Sequence, residues 1–147
     1  MTHVQRRRLL AAGALWVVAV SPAHAAFDPA LTAAIRAWAG SAPVQTGRVT
    51  LDIAQLVDNG NAVPVTVRVA SPMTAADHVR EIAIFNERNP QRDVARFQLA
   101  PANGRAEVAT RIRLATSQHV VALARMSDGS VWQHSVDVLV TLAACIE

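Results

Sequence analysis

Val63-Pro64-Val65-Thr66-Val67-Arg68-Val69 alternates apolar and polar residues over its second half. A period of two is the mark of a strand with one buried face. Proline has no N–H to give a ladder, so Pro64 belongs at the start of this strand or on an edge. Turn chemistry brackets the run: Asp58-Asn59-Gly60-Asn61 precedes it and Ser71-Pro72-Met73-Thr74 follows it. The same grammar repeats outward along the chain. Strand-like runs are expected at 49–53, 79–86, 94–99, 106–114, 119–126 and 131–142. Ile82, Ile84 and Asn86 share one side of their run, and Val136, Val138, Val140 and Leu142 share one side of theirs. In 106–114, Glu107, Arg111 and Arg113 read as outward charges, with a break of phase around Ala109. Glu87-Arg88-Asn89-Pro90, Pro101-Ala102-Asn103-Gly104 and Ser127-Asp128-Gly129-Ser130 supply the turns between. About seven short strands at roughly ten-residue spacing predict an all-β, immunoglobulin-like sandwich over 48–142. The paired cysteines of antibody domains are missing, because the chain has one cysteine.

The residues before the sandwich divide in two. Residues 1–25 read as an export signal. Arg6, Arg7 and Arg8 form a basic start, 9–20 is continuously apolar, and Ala23-His24-Ala25 is a cleavage signal. The paired arginines before Leu9-Leu10 are twin-arginine-like. The expected location is therefore the periplasm. Residues 26–47 read as a short N-terminal helix and a linker. Ala30, Leu31, Ala34, Ile35 and Trp38 recur at helical spacing over 27–38. Asp28-Pro29 is a cap and first-turn pair, and Gly40 is a stop. The helix is expected either to cap the sandwich or to dock a partner. The stretch 41–47 reads as linker. No later segment is long and apolar enough to be a membrane anchor in the mature chain.

Charge excludes one class of function. The chain has 14 basic residues and 11 acidic ones. Three arginines leave with the signal, so eleven arginines face eleven acids in the remainder. A nucleic-acid reading loses its electrostatic footing. Near-zero net charge favours life in a complex.

The chemistry-bearing side chains are few. His78, His119 and His134 are scattered and read as structural or surface residues. No catalytic set and no metal-ligand spacing can be argued, and no cofactor is called for. Trp38 and Trp132 read as packing residues, and Phe85 and Phe97 as core. What stands out is Cys145, the lone thiol, two residues from the C-terminus. In an exported protein such a thiol has no partner within the chain and is available to something external. It sits three residues beyond Leu142, so an extended arm of 143–147 carries it about 10 Å past the last strand.

Asp58-Asn59-Gly60-Asn61, Val63-Pro64-Val65 and Ser71-Pro72-Met73-Thr74 together resemble a block of the SoxY family. The resemblance continues through Ile84-Phe85-Asn86-Glu87-Arg88-Asn89-Pro90 and Val94-Ala95-Arg96-Phe97. It runs on through 106–114 and 120–131, covering nearly all of the mature chain. The resemblance implies a sulfur carrier of a periplasmic thiosulfate-oxidising system, paired as a heterodimer with a SoxZ-like sandwich. By this likeness Cys145 bears thiosulfate-derived sulfur species covalently while separate Sox enzymes work on them. The chain itself is then no catalyst. Met73 is a mild candidate for the partner interface. The tail departs from the family's Gly-Gly-Cys-Gly-Gly: here Ala143-Ala144 precede the thiol and Ile146-Glu147 follow it. Alanine loses the φ > 0 freedom of glycine, and Ile146 is β-branched and stiff. The side chain and chain end of Glu147 place negative charge beside the sulfur, which disfavours its thiolate. A paralogue that keeps the fold and the partner as a scaffold, without carrier chemistry, is the alternative expectation.

Overall fold

The computed structural model describes residues 26–142. The leader at 1–25 and the arm at 143–147, Cys145 included, lie outside the described residues. The chain builds two packed sheets with one helix laid on the outer face of the larger sheet.

Helix α1 spans Pro29–Ala39. Asp28 accepts from the Ala30 N–H at 2.8 Å, and Pro29 supplies the preset φ of a first helical residue. Gly40 takes φ 68° and donates to Arg36 O, which ends the helix. The choice left open by the sequence resolves toward packing. Leu31, Ile35, Trp38 and Ala39 are buried against the sheet.

The strands are β1 (Val44–Thr46), β2 (Val49–Asp52), β3 (Leu56–Val57), β4 (Val63–Val69), β5 (Val79–Asn86), β6 (Asp93–Gln98), β7 (Ala106–Ile112), β8 (Gln118–Met126) and β9 (Val131–Val140). The larger sheet runs β1-β9-β8-β5-β6, and β3 also pairs with β9. The smaller sheet runs β2-β4-β7. Between them lies the main core, with Val65, Val67, Ile82, Ile84, Val120 and Val138 among its members. A second core lies under α1, where Ala83, Phe85, Val121, Leu123 and Val131 meet the helix. Strands β5 and β8 therefore bury both faces. That is why their sequences read as near-continuous apolar runs rather than alternations.

Several expectations are corrected. The linker at 41–47 contains β1, which pairs in parallel with β9 from Val44↔Val131 to Thr46↔Gln133. Three residues are too few for periodicity to show, and their pairing depends on a strand some ninety residues away in sequence. The two-residue β3 was hidden for the same reason. Strand β7 keeps its alternation through Ala109, which faces outward as a small residue while Thr110 is half-buried. The last strand ends at Val140, and Leu142 is exposed rather than sharing the buried face. Met73 is no surface candidate: it is 5% exposed, sits in the main core, and its Sδ accepts from the Val79 N–H at 3.4 Å. Pro64 lies at the start of β4, where β7 pairs but β2 does not yet reach.

Candidate functional site

The point from which the arm departs is held by three elements. Thr141 donates its N–H to Val57 O at 3.0 Å, and its hydroxyl donates to Asp58 O at 3.2 Å. Gly60 donates to Leu142 O at 2.8 Å and accepts from the Leu114 N–H at 2.8 Å. Ser117 Oγ accepts from the Val140 N–H at 2.9 Å. The Asp58-Asn59-Gly60-Asn61 turn thus acts as a clamp. Asn59 Oδ1 accepts from the Asn61 N–H at 2.9 Å, an Asx turn that shapes the loop. The buried backbone of Gly60 then bridges the end of β9 to the chain after β7. In the sequence this turn read as punctuation and as part of a family block, with no structural task. Its job in the fold is to fix where the C-terminal arm begins.

Along β9 above that point runs a cleft of about 840 Å³. It exists because β1 covers the β9 edge only at Val131–Gln133, and β3 covers it only at Leu139–Val140. Between these stretches no strand flanks β9 on that side. His134 fills part of the gap. Its Nδ1 accepts from the Leu51 N–H at 2.9 Å, joining the edges of the two sheets. His119 and Asp137 are register partners on β8 and β9, and both line the cleft. The fold thus brings His119 and His134, separate in sequence, to one cleft. His78 lies elsewhere, its ring against Thr74 O at 3.0 Å.

The sequence did not reveal the partner of His119. Glu87 is a buried carboxylate that meets the His119 ring Nδ1 at 2.9 Å and accepts from the His119 N–H at 3.3 Å. It also accepts from the Asp28 N–H at 2.8 Å. Phe27 stands edge-on to the His119 ring at 5.5 Å between centroids. Burial pushes the Glu87 carboxyl up, but the bonds from Asp28 and His119 together outweigh it and hold the group below its ordinary range. This knot ties the start of α1 to the sheet. The only signal for it was Glu87 inside the Asn-Glu-Arg-Asn-Pro stretch. Asn89 in that stretch donates to Arg113 O at 2.8 Å and accepts from the Ala115 N–H at 3.0 Å.

Trp38 and Trp132 serve packing. Trp38 donates to Glu81 at 3.2 Å, and the Arg125 guanidinium lies 4.5 Å over its ring while donating to Trp38 O. Trp132 donates to Ser130 and has Arg48 over its ring at 5.5 Å. Among the described residues, no group of three or more His, Cys, Asp or Glu is placed to hold a metal ion. No described helix is long and apolar enough to cross a membrane.

The family model described as "Sulfur oxidation protein SoxY" matches residues 35–145. The chain belongs to the SoxY family. A solved relative, the sulfur carrier protein SoxY from Chlorobium limicola f thiosulfatophilum, shares 30% identity and a TM-score of 0.64. The match covers 76% of this chain and 96% of that one. The sandwich itself is more widely shared. The superoxide reductase (neelaredoxin) of Ignicoccus hospitalis matches at TM-score 0.57 and 19% identity, over 64% of this chain and 80% of that one. The superoxide reductase of Nanoarchaeum equitans matches at 0.56 and 12%, over 65% and 100%. At such identities the likeness to these reductases is one of fold. No curated protein matches the chain.

Proposed function

We propose that this SoxY-family chain is a periplasmic sulfur carrier whose cargo rides on Cys145. The observation that carries the reading is one thiol, placed at the C-terminal end of a chain of this family. The clamp of Gly60, Thr141 and Ser117 supports it, because a tether rooted at a fixed point holds its cargo within a set distance of the domain. Joining Cys145 Sγ to the outer sulfur of thiosulfate forms an S–S bond. The thiol proton is released and two electrons pass to a redox partner protein. Water then cleaves the terminal sulfonate as sulfate in a second enzyme and leaves a persulfide on the arm. Tethering keeps each intermediate at high effective concentration between these steps. The leader with Arg6-Arg7-Arg8 supports export to the periplasm. A SoxZ-like subunit is the expected dimer partner, and Sox enzymes of that compartment are the expected visitors.

The test is the intact mass of the mature protein, purified from its own periplasm without reductant after growth on thiosulfate. A mass gain on the C-terminal peptide, absent in Cys145→Ser, is the expected result. A bare thiol under those conditions overturns the carrier reading. The Ala143-Ala144-Cys145-Ile146-Glu147 tail favours one rival, a scaffold paralogue that keeps the partner but not the cargo. For that rival, Cys145→Ser leaves thiosulfate-dependent activity of the reconstituted system unchanged.

A further inference from the structure

Three large apolar side chains are exposed among the described residues: Leu56 at 61%, Leu139 at 58% and Leu142 at 60%. They are not scattered. Leu56 and Leu139 are register partners on β3 and β9, so their side chains stand side by side on one sheet face. It is the outer face, since the neighbours Val57 and Val140 point into the main core. Leu142 is the last described residue before the arm. Single exposed leucines are ordinary on a protein surface, but a cluster marks a contact site. This cluster sits at the root of the arm.

Charge sharpens the picture. Asp137 lies two positions before Leu139 on the same face of β9, and Asp58 accepts from the Thr141 hydroxyl through its carbonyl. Neither carboxylate has an ion-pair partner among the described residues. An apolar spot flanked by unpaired acids fits a surface with an apolar patch and a basic rim.

The reach of the arm names the occupant. Cys145 is three residues beyond Leu142, about 10 Å when extended at ~3.3 Å per residue. A specific protein contact covers about 800 Å² per partner, a disc roughly 16 Å in radius. A protein that takes Cys145 into its own site through so short an arm must lie over the ground where the arm begins. We propose that Leu56, Leu139 and Leu142 form the docking patch for the enzyme that acts on the Cys145 sulfur, received by an apolar surface with basic residues around it. This inference rests on the carrier reading.

The experiment follows the mass gain on Cys145 when full-length mature protein is incubated with thiosulfate and the periplasmic fraction of the source organism. Initial rates are measured against carrier concentration for wild type, the double variant Leu56→Ser/Leu139→Ser, and Leu139→Met. Reaction of the thiol with a small aromatic disulfide is followed in parallel. The double variant is expected to raise KM for the carrier about tenfold, by loss of apolar contact, with kcat and small-disulfide reactivity unchanged. Leu139→Met keeps the wild-type KM, which separates loss of contact from loss of fold. Raising salt increases the wild-type KM, and Asp137→Asn blunts that increase. An unchanged KM in the double variant, with wild type gaining mass, overturns the patch and leaves the carrier reading intact. A wild type that gains no mass overturns both. A wild type that sediments as a homodimer, or together with a second sandwich subunit from the periplasm, while the double variant is a monomer assigns the patch to that subunit instead, and also overturns the proposal.

Discussion

One face of the larger sheet carries two unlike halves. Beneath α1, Ala83, Phe85, Val121, Leu123 and Val131 are covered by Leu31, Ile35, Trp38 and Ala39. Toward the arm, the same face of β9 carries Asp137 and Leu139 in the open, with Leu56 alongside. The strands are continuous and the pleat is the same. What differs is the reach of an eleven-residue helix, which at 1.5 Å per residue covers about 16 Å of strand. Apolar residues under the helix stabilise the fold. Apolar residues beyond its end contribute little to it and remain free for contact. Burial, and not residue type, separates the two roles.

The comparison breaks most clearly at a pair of leucines. Leu123 is wholly buried under α1, and Leu139 is mostly exposed. Truncating Leu123→Ala removes packed methyl groups and leaves a cavity, at a cost of about 2–5 kcal/mol. Leu139→Ala should change stability by no more than about 0.5 kcal/mol. Urea unfolding of the two variants measures this directly. Equal losses would mean that the open half belongs to the core after all.

A second test concerns how the helix is tied down. Glu87 accepts from Asp28 at the helix start and from His119 on the sheet, with Arg88 4.0 Å away and Arg92 paired to Asp28 at 3.8 Å. Glu87→Gln weakens three charge-assisted bonds, and a loss of about 1–3 kcal/mol at neutral pH is expected. The sign with pH follows from the lowered carboxyl. A depressed pKa contributes stability that is fully present above the ordinary glutamate value of about 4.3 and is lost as pH falls through the lower folded value. The gap between wild type and variant should therefore shrink below about pH 4. A gap that stays constant down to pH 3 would show that the carboxylate charge is not what ties the helix.

How much of this was legible in the sequence follows from the range of each interaction. The alternation of 63–69 and the cap at Asp28-Pro29 are local, and both appear in the fold as read. Strand β1 was not legible, since Val44–Thr46 becomes a strand only by lying on β9. The apparent break at Ala109 came from treating a small residue as an inward one. Met73 was misplaced because Ser71-Pro72-Met73-Thr74 looks like a surface bend. Yet its backbone takes φ 52° and turns the thioether into the core, where the Val79 N–H reaches it. The Glu87–His119 knot joins residues 32 apart that share no motif spacing. The family block was legible from order alone, but the purpose of its turn was not. Gly60 gains its meaning from Leu142, far along the chain, whose carbonyl it binds.

The smallest effect is expected where the open half meets the arm. Ser117 Oγ accepts from the Val140 N–H at 2.9 Å and lies 3.5 Å from Val140 O as donor. Ser117→Ala removes both contacts, yet Thr141 and Leu142 keep their bonds to Val57 and Gly60. Overall stability should fall by only about 0.5–1.5 kcal/mol. The local consequence is sharper. If the strand end opens as a unit, amide exchange at Thr141, whose own bond to Val57 the substitution leaves in place, should quicken about fivefold, since 1 kcal/mol is roughly that factor, while exchange at Leu123 tracks the small global change. If Thr141 and Leu123 respond alike, the root of the arm opens only with the whole domain and is as rigid as the half beneath the helix. If Thr141 alone responds, the root is a separate, weaker unit, held by a few bonds that a docking partner can reinforce.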